Sequence, residues 1–99
     1  MANYTFGFIG TGNMGSALAK AAVKNVSPAK IILSNRTAAR AEALAAQLSC
    51  AAGDVRTAAA QSDYIILGVK PQMMAGLLED LAPVLAQRGD PFVLVTMAA

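Results

Sequence analysis

A glycine-rich stretch near the start of the chain constrains the fold more than any other feature. Gly10, Gly12 and Gly15 follow a short apolar run and precede a segment with helical periodicity. This G-x-G-x-x-G spacing, between a strand and a helix, is typical of dinucleotide-binding domains. The glycines there permit a sharp turn, close approach of the backbone to a pyrophosphate and tight helix packing. We therefore predict a phosphate-binding loop made of Gly10, Thr11, Gly12, Asn13, Met14 and Gly15.

Apolar segments of strand length alternate with segments of helical periodicity along the rest of the chain. The predicted strands are Tyr4–Ile9, Lys30–Ser34, Cys50–Ala52, Tyr64–Val69 and Phe92–Thr96. The predicted helices are Ser16–Lys24, Ala38–Leu48 with Thr37 as its N-cap, a short helix that runs from a cap at Asp54 to Gln61, and a longer helix that begins at Pro71. We expect Ser62 and Asp63 to form a turn, and Pro83 to break or kink the last helix.

This alternation predicts an α/β fold with a doubly wound parallel sheet of the Rossmann type. The expected strand order is 3-2-1-4-5 with helices on both faces, and residues 1–99 form one domain. A ligand crevice is expected at the carboxyl ends of strands one and four, where the strand order reverses. The loops that follow the strands should meet along that edge.

Composition and charge exclude several classes of function. The chain is 56% hydrophobic and 14% charged, and a net charge of +2 favours neither nucleic acid nor an anionic membrane as a partner. Without histidine, and with Cys50 as the single cysteine, the chain has no Ser-His-Asp triad and no usual zinc ligand set. No secretory signal or transmembrane segment is predicted, so we expect a cytoplasmic protein. We predict no catalytic side chain and no metal ligand.

The end of the second strand indicates which dinucleotide binds. Proteins that prefer NAD(H) usually carry an acidic residue there, which hydrogen-bonds the ribose 2′-hydroxyl. This chain instead has a guanidinium at Arg36, which can pair with a 2′-phosphate, beside hydroxyl and amide donors. NADP(H) is therefore predicted over NAD(H), with contacts from Ser34, Asn35, Arg36 and Thr37. The alternative is that Arg36 is a solvated surface residue and Thr37 only a helix cap.

Two further loops are expected to line the crevice. Pro71 forces Lys70 towards an extended conformation, which would turn the carbonyl of Lys70 towards the cofactor. We predict that Val69, Lys70 and Pro71 lie near the nicotinamide ribose. Met97, Ala98 and Ala99 follow the fifth strand, and we expect them to meet the other loops along the same edge.

Four segments together resemble pyrroline-5-carboxylate reductase. They are Gly7–Gly15, Ser34–Thr37, Val69-Lys70-Pro71-Gln72 and Thr96–Ala99, within a resemblance that runs from about Phe6 to Ala99. The fifth strand of that family commonly ends in serine, where this chain has Thr96. The resemblance implies NADPH-dependent reduction of 1-pyrroline-5-carboxylate to L-proline, the last step of proline biosynthesis. It also implies cofactor contacts from Gly10–Gly15, Ser34, Asn35, Arg36, Val69, Lys70, Pro71, Ala98 and Ala99.

Members of that family continue into a helical domain that forms the dimer and much of the substrate pocket. By resemblance, the present chain supplies the cofactor-binding half and is inactive alone. A small-molecule substrate and a homo-oligomer formed through the following domain are then expected. Two alternatives stay open from the sequence. One is another NADP-dependent enzyme, such as a 3-hydroxyacid dehydrogenase, and the other is a dinucleotide-binding sensor without turnover.

Overall fold

The computed structural model describes residues 3–10, 13–35 and 37–96, and of residues 13–15 only the backbone. The strands are β1 (Tyr4–Ile9), β2 (Ile31–Ser34), β3 (Ala51–Ala52), β4 (Ser62–Leu67) and β5 (Val93–Thr96). The α-helices are α1 (Asn13–Ala22), α2 (Ala38–Leu48), α3 (Val55–Gln61) and α4 (Pro71–Ala86), and a 3-10 helix, Pro28–Lys30, precedes β2. Within these ranges, no helix is long and apolar enough to cross a membrane.

The five strands form one parallel sheet in the order β3-β2-β1-β4-β5, which confirms the predicted Rossmann-type topology. The central strand β1 pairs with β2 on one side and with β4 on the other. Phe8, for example, lies between Leu33 and Ile66 in the register. The strand order therefore reverses next to β1, at the place where the sequence predicts a ligand crevice.

Helices cover both faces of the sheet, and successive residues of β1 point into different cores. Phe8 packs with residues of α1 and α2, including Ala19 and Leu44. Ile9 packs with residues of α3 and α4, including Ala58 and Leu81. The strand β2 and the second halves of β1 and β4 are buried and largely apolar, because the side chains there meet a helix layer on one face or the other.

Several predicted boundaries were shifted, among them both ends of β4. Ser62 was predicted in a turn but begins the strand, where it follows α3 directly and lies opposite Tyr4. Ser62 is fully buried, and a Cβ atom on Gly7 would clash with its side chain. The strand ends at Leu67 rather than at Val69. Helix α1 begins at Asn13 and ends at Ala22 instead of spanning Ser16–Lys24, and β2, β3 and β5 each begin one residue later than predicted.

We predicted that Pro83 would break or kink α4. Pro83 does not break the helix, because α4 continues through it to Ala86. A proline removes one backbone donor, and the carbonyl that loses its partner belongs to Glu79. Glu79 is exposed, so water can replace the missing bond.

Two predicted helix caps differ in what their side chains do. Asp54 caps α3 as predicted, since its carboxylate accepts a hydrogen bond of 2.7 Å from the Thr57 backbone N–H. Thr37 stands at the N-cap of α2 but makes no capping bond with its side chain. The position of Thr37 was therefore predicted correctly, whereas its capping bond is absent.

One region of the sheet carries exposed apolar side chains. Tyr64 of β4 is 43% exposed, and its neighbours Val93 and Val95 on β5 are 48% and 39% exposed. Leu18 on α1 is 43% exposed as well. Tyr64, Val93 and Val95 form what we call the open patch. Large apolar groups grouped in this way commonly mark a contact surface.

Arg88, in the loop between α4 and β5, links neighbouring elements at the amino-terminal edge of the sheet. Its side chain is 3% exposed and pairs with both carboxylate oxygens of Asp90 at 2.7 and 3.0 Å. It also donates to the carbonyl oxygens of Ala59 and Ser62 at 2.8 and 2.6 Å, and lies 4.9 Å from the centre of the Phe92 ring. One guanidinium thus joins the end of α3 and the start of β4 to the loop before β5.

Replacing Arg88 should therefore destabilise the fold. Arg88→Ala leaves the Ala59 and Ser62 carbonyls without their donor, and we expect a loss of about 3 kcal/mol in the free energy of unfolding. Urea denaturation of the wild type, Arg88→Ala and the exposed control Lys30→Ala would measure it. Equal stabilities of the wild type and Arg88→Ala would contradict the structural role assigned to Arg88.

The same ion pair predicts a dependence on pH. Hydrogen bonds from the Arg88 side chain hold the pKa of Asp90 below its ordinary value of 3.8. This contribution to stability is complete above pH 3.8 and disappears as the pH falls through the lowered pKa of the folded state. The urea midpoint of Asp90→Asn should therefore fall less steeply than that of the wild type in this acidic range.

Candidate functional site

A crevice of about 860 Å³ opens at the carboxyl ends of β1 and β4. Its walls come from the end of β1, the loop after β2, the first turns of α2 and α3, the loop after β4, and α4. The lining includes Gly10, Asn35, Arg40, Arg56, Gly68, Val69, Lys70, Gln72 and Asp80. The predicted meeting of loops at this edge is confirmed for the loops that follow β1, β2 and β4. The volume suits a ligand of cofactor size.

Gly10 forms the floor of the crevice and requires the absence of a side chain. Its φ of +94° is a conformation that L-residues rarely adopt, and an added Cβ would lie 2.7 Å from the carbonyl oxygen of Gly68. The Gly10 N–H donates to the Ser34 carbonyl at 2.9 Å, and the Gly68 N–H donates to the Ile9 carbonyl at 2.7 Å. The ends of β1, β2 and β4 are thereby held together, and a ligand can approach the bare backbone at Gly10.

Gly10→Ala should damage both the fold and the crevice. The strained φ and the clash with Gly68 lead us to expect a loss of about 2 kcal/mol or more in unfolding free energy. Dinucleotide affinity should fall as well, because the methyl group occupies the floor of the crevice. The matched control is Gly89→Ala, since a Cβ at Gly89 meets nothing within 4 Å. Urea unfolding and nucleotide titration measure both effects, and identical behaviour of the two variants would contradict this interpretation.

The residues predicted to bind the cofactor at the end of β2 differ in whether they line the crevice. Asn35 lines the crevice, and its amide also donates to the Thr37 carbonyl at 3.3 Å. The Thr37 side chain is exposed and does not line the crevice. Ser34 is fully buried, and its hydroxyl has no hydrogen-bond partner among the described residues. Ser34 does not line the crevice, and Ser62, at the start of β4, has the same buried hydroxyl without a described partner. The predicted cofactor contact of Ser34 therefore stays a prediction.

Several predicted site residues lie outside the part of the chain that the structure describes. These are Thr11, Gly12, Arg36, Met97, Ala98 and Ala99. Asn13, Met14 and Gly15 are described as the first backbone residues of α1, without their side chains. The roles assigned to these nine residues stay predictions.

The conformation of the loop after β4 was predicted correctly. Lys70 is extended, with φ −65° and ψ 148°, and Pro71 occupies the first turn of α4. The Lys70 carbonyl accepts a 2.9 Å hydrogen bond from the Met73 N–H, the first bond of that helix. A carbonyl oxygen can accept a second hydrogen bond, so its contact with the cofactor stays a prediction. Val69 and Lys70 line the crevice, whereas Pro71 does not.

The charged residues along the crevice suit an anionic ligand. Among the described residues that line it, Arg40, Arg56 and Lys70 are cationic, and Asp80 is the single acid. A second hollow of about 690 Å³, which we call the side recess, adjoins the loop after β3. Asn35 and Arg56 line both hollows, and Glu42 and Asp54 line only the side recess.

Arg40 and Arg56 are candidate binding residues that the sequence analysis missed. Arg40 was assigned to the exposed face of its helix, and Arg56 was given no role. Arg40 lies three residues after Thr37, and Arg56 lies two residues after the cap Asp54. Both arginines lie within three residues of a predicted helix N-cap in the sequence. Helices of this fold begin at the carboxyl edge of the sheet, so this signal could have placed both arginines near the crevice.

The topology, the glycine floor and the cationic crevice define a Rossmann-type dinucleotide-binding domain. Residues 5–98 match the family described as "NADP oxidoreductase coenzyme F420-dependent". The chain belongs to this family, and its cofactor is NADP(H). No curated protein matches the chain.

Solved structures of reductases are similar to this chain. An imine reductase from Myxococcus stipitatus in complex with NADP+ is 32% identical with a TM-score of 0.77, and the match covers 95% of this chain and 32% of that one. A 1-pyrroline-5-carboxylate reductase from Streptococcus pyogenes is 29% identical with a TM-score of 0.73, covering 96% and 34%. A pyrroline-5-carboxylate reductase from Coxiella burnetii has a TM-score of 0.82 at 22% identity, covering 98% and 36%, and shows the shared fold. The chain thus spans about a third of the length of these proteins.

The 2′-phosphate prediction for Arg36 can be tested by titration. Charge-assisted bonds of a guanidinium contribute about 1.5–3 kcal/mol, so Arg36→Ala should weaken NADPH binding by roughly 10- to 100-fold. NADH, which lacks the phosphate, should bind the variant and the wild type equally. Titration of both proteins with both nucleotides measures this difference. If Arg36→Ala kept the full preference for NADPH, Arg36 would be the solvated surface residue of the alternative interpretation.

Proposed function

We propose that this domain is the cofactor-binding part of an NADPH-dependent reductase that converts 1-pyrroline-5-carboxylate to L-proline. The observation that carries the proposal is the crevice itself. Gly10, Asn35, Val69 and Lys70, from three of the segments that resemble pyrroline-5-carboxylate reductase, line it together. The two reductases described above that share 29% and 32% identity are named for a cyclic C=N substrate and for an imine. Both similarities support a C=N bond as the group that is reduced.

The chemistry would be a two-electron reduction. Bound NADPH supplies a hydride to the C=N carbon, and the ring nitrogen gains a proton, which gives the secondary amine of proline. The residues of this domain bind and orient the cofactor and do not react. The bare backbone at Gly10 admits the pyrophosphate, and the cations of the crevice offset its charge.

We further propose that a helical domain follows this one, that it completes the substrate pocket, and that it forms a cytoplasmic homo-oligomer. The open patch supports this arrangement. Tyr64, Val93 and Val95 would be covered by another layer of structure, which would remove large apolar side chains from water.

The activity is tested with the longest form of the protein that carries residues 1–99. NADPH consumption on addition of 1-pyrroline-5-carboxylate, with L-proline identified by chromatography, is the expected result. A 3-hydroxyacid in place of the imine, with NADP+ as oxidant, tests the dehydrogenase alternative. NADPH binding without turnover of either substrate would contradict the proposal and would favour a sensor module.

A further inference from the structure

The strand β5 forms one edge of the sheet and is exposed along its whole length. It pairs with β4, and within the described chain no strand lies on its other side. All four residues from Val93 to Thr96 are exposed to solvent. The backbone N–H and C=O groups on the free side of an edge strand have no partner within the sheet, so they can pair with a strand from another molecule.

The two edges of this sheet differ in the features that oppose such pairing, which are shortness of the strand and charged side chains. The strand β3, at the other edge, has two residues and is followed by Gly53 and the acidic cap Asp54. In contrast, β5 has four residues, and residues 91–96 include no charged side chain. The nearest acid before β5 is Asp90, which is paired with Arg88. The β5 edge is therefore the one that is open to pairing.

Both faces of β5 present apolar side chains. Val93 and Val95 lie on one face together with Tyr64, which is the register partner of Val93 on β4. Leu94 lies on the other face and is 37% exposed, beside its buried register partner Ile65. A strand added at this edge would therefore contact apolar groups on both faces of the sheet and shield them from water.

The sequence Val93-Leu94-Val95 reads the same in both directions, which makes this edge complementary to itself. A two-fold axis perpendicular to the sheet at Leu94 brings a second β5 alongside in the antiparallel direction and keeps each face on its own side. Leu94 then lies opposite its own copy, and each Val93 lies opposite a Val95. No like charges oppose each other at this contact, and the net charge of +2 gives only weak repulsion between two copies.

We propose that two copies of this chain associate through their β5 edges and join their sheets into one continuous sheet. The contact is small, because four residues a side bury much less than the roughly 1,600 Å² of a stable complex, so we expect a weak, reversible dimer. The proposal concerns the backbone edge of β5 in the chain of residues 1–99. It does not depend on the cofactor, on the substrate that is reduced, or on a layer of structure over the open patch.

Sedimentation equilibrium of the 99-residue chain, from micromolar to millimolar concentration, tests the proposal. Leu94→Lys brings two ammonium groups together at the axis, and Leu94→Glu brings two carboxylates together there. The matched control is Leu78→Lys, because Leu78 is also 37% exposed but lies on α4. We expect the wild type and the control to dimerise equally, and each Leu94 variant alone to have a dissociation constant at least about 10-fold higher. An equal mixture of the two Leu94 variants should dimerise again, because opposite charges then meet at the axis.

Three results would overturn the proposal. They are a wild type that stays monomeric at every concentration, dimers that survive both Leu94 substitutions, and a mixture of the two variants that stays monomeric. The second result would indicate association through the open patch, which lies on the opposite face from Leu94.

A disulfide provides a second measurement that introduces no charge. Leu94→Cys in a Cys50→Ala background should form an intermolecular disulfide on oxidation, because opposed residues of antiparallel strands lie within the Cα distance that a disulfide spans. Leu78→Cys in the same background is the control and should cross-link much more slowly. Equal rates for the two variants would contradict the β5 contact. Neither experiment involves nucleotide or turnover, so failure of the proline-forming assay would leave both results untouched.

Discussion

The central position of β1 is the constraint on which the rest of the structure depends. This strand pairs with β2 on one side and β4 on the other, and its side chains alternate between two buried cores. Its last residues make the contacts that join three strand ends, from Gly10 to Ser34 and from Gly68 to Ile9. A bulkier residue at Gly10 would force these ends apart. The absence of a side chain at Gly10 is therefore required both for the packing of the strand ends and for the shape of the crevice.

The two edges of the sheet are stabilised in different ways. At the amino-terminal edge, Arg88 is buried and satisfied by Asp90 and two backbone carbonyls, so its charge contributes to folding. At the carboxyl edge, Arg40, Arg56 and Lys70 are exposed and line an open crevice. The described arginines are thus buried and paired at one edge and exposed to solvent at the other. The separation follows from parallel strands, which place all their carboxyl ends together.

Membership of an NADP oxidoreductase family agrees with this distribution of charge. Family membership identifies the cofactor. The proposed substrate is inferred from similarity to longer reductases of C=N bonds, and the match covers about a third of each of those proteins. The described crevice combines bare backbone at Gly10 with the cations Arg40, Arg56 and Lys70, which suits an anionic cofactor. The open patch on β4 and β5 is a separate surface that exposes large apolar side chains.

The sequence by itself determined the alternation of strands and helices, the strand order and the position of the crevice. These follow from local periodicity, from the turn at Gly10 and from the handedness of parallel connections. Tertiary structure alone decided the start of β4 at Ser62 and the continuation of α4 through Pro83. It also brought Asn35 and Arg56, which lie far apart in the sequence, to the walls of one crevice. Local patterns cannot show such proximity, because it arises only when β2 and β3 pair and bring their following loops to the same edge.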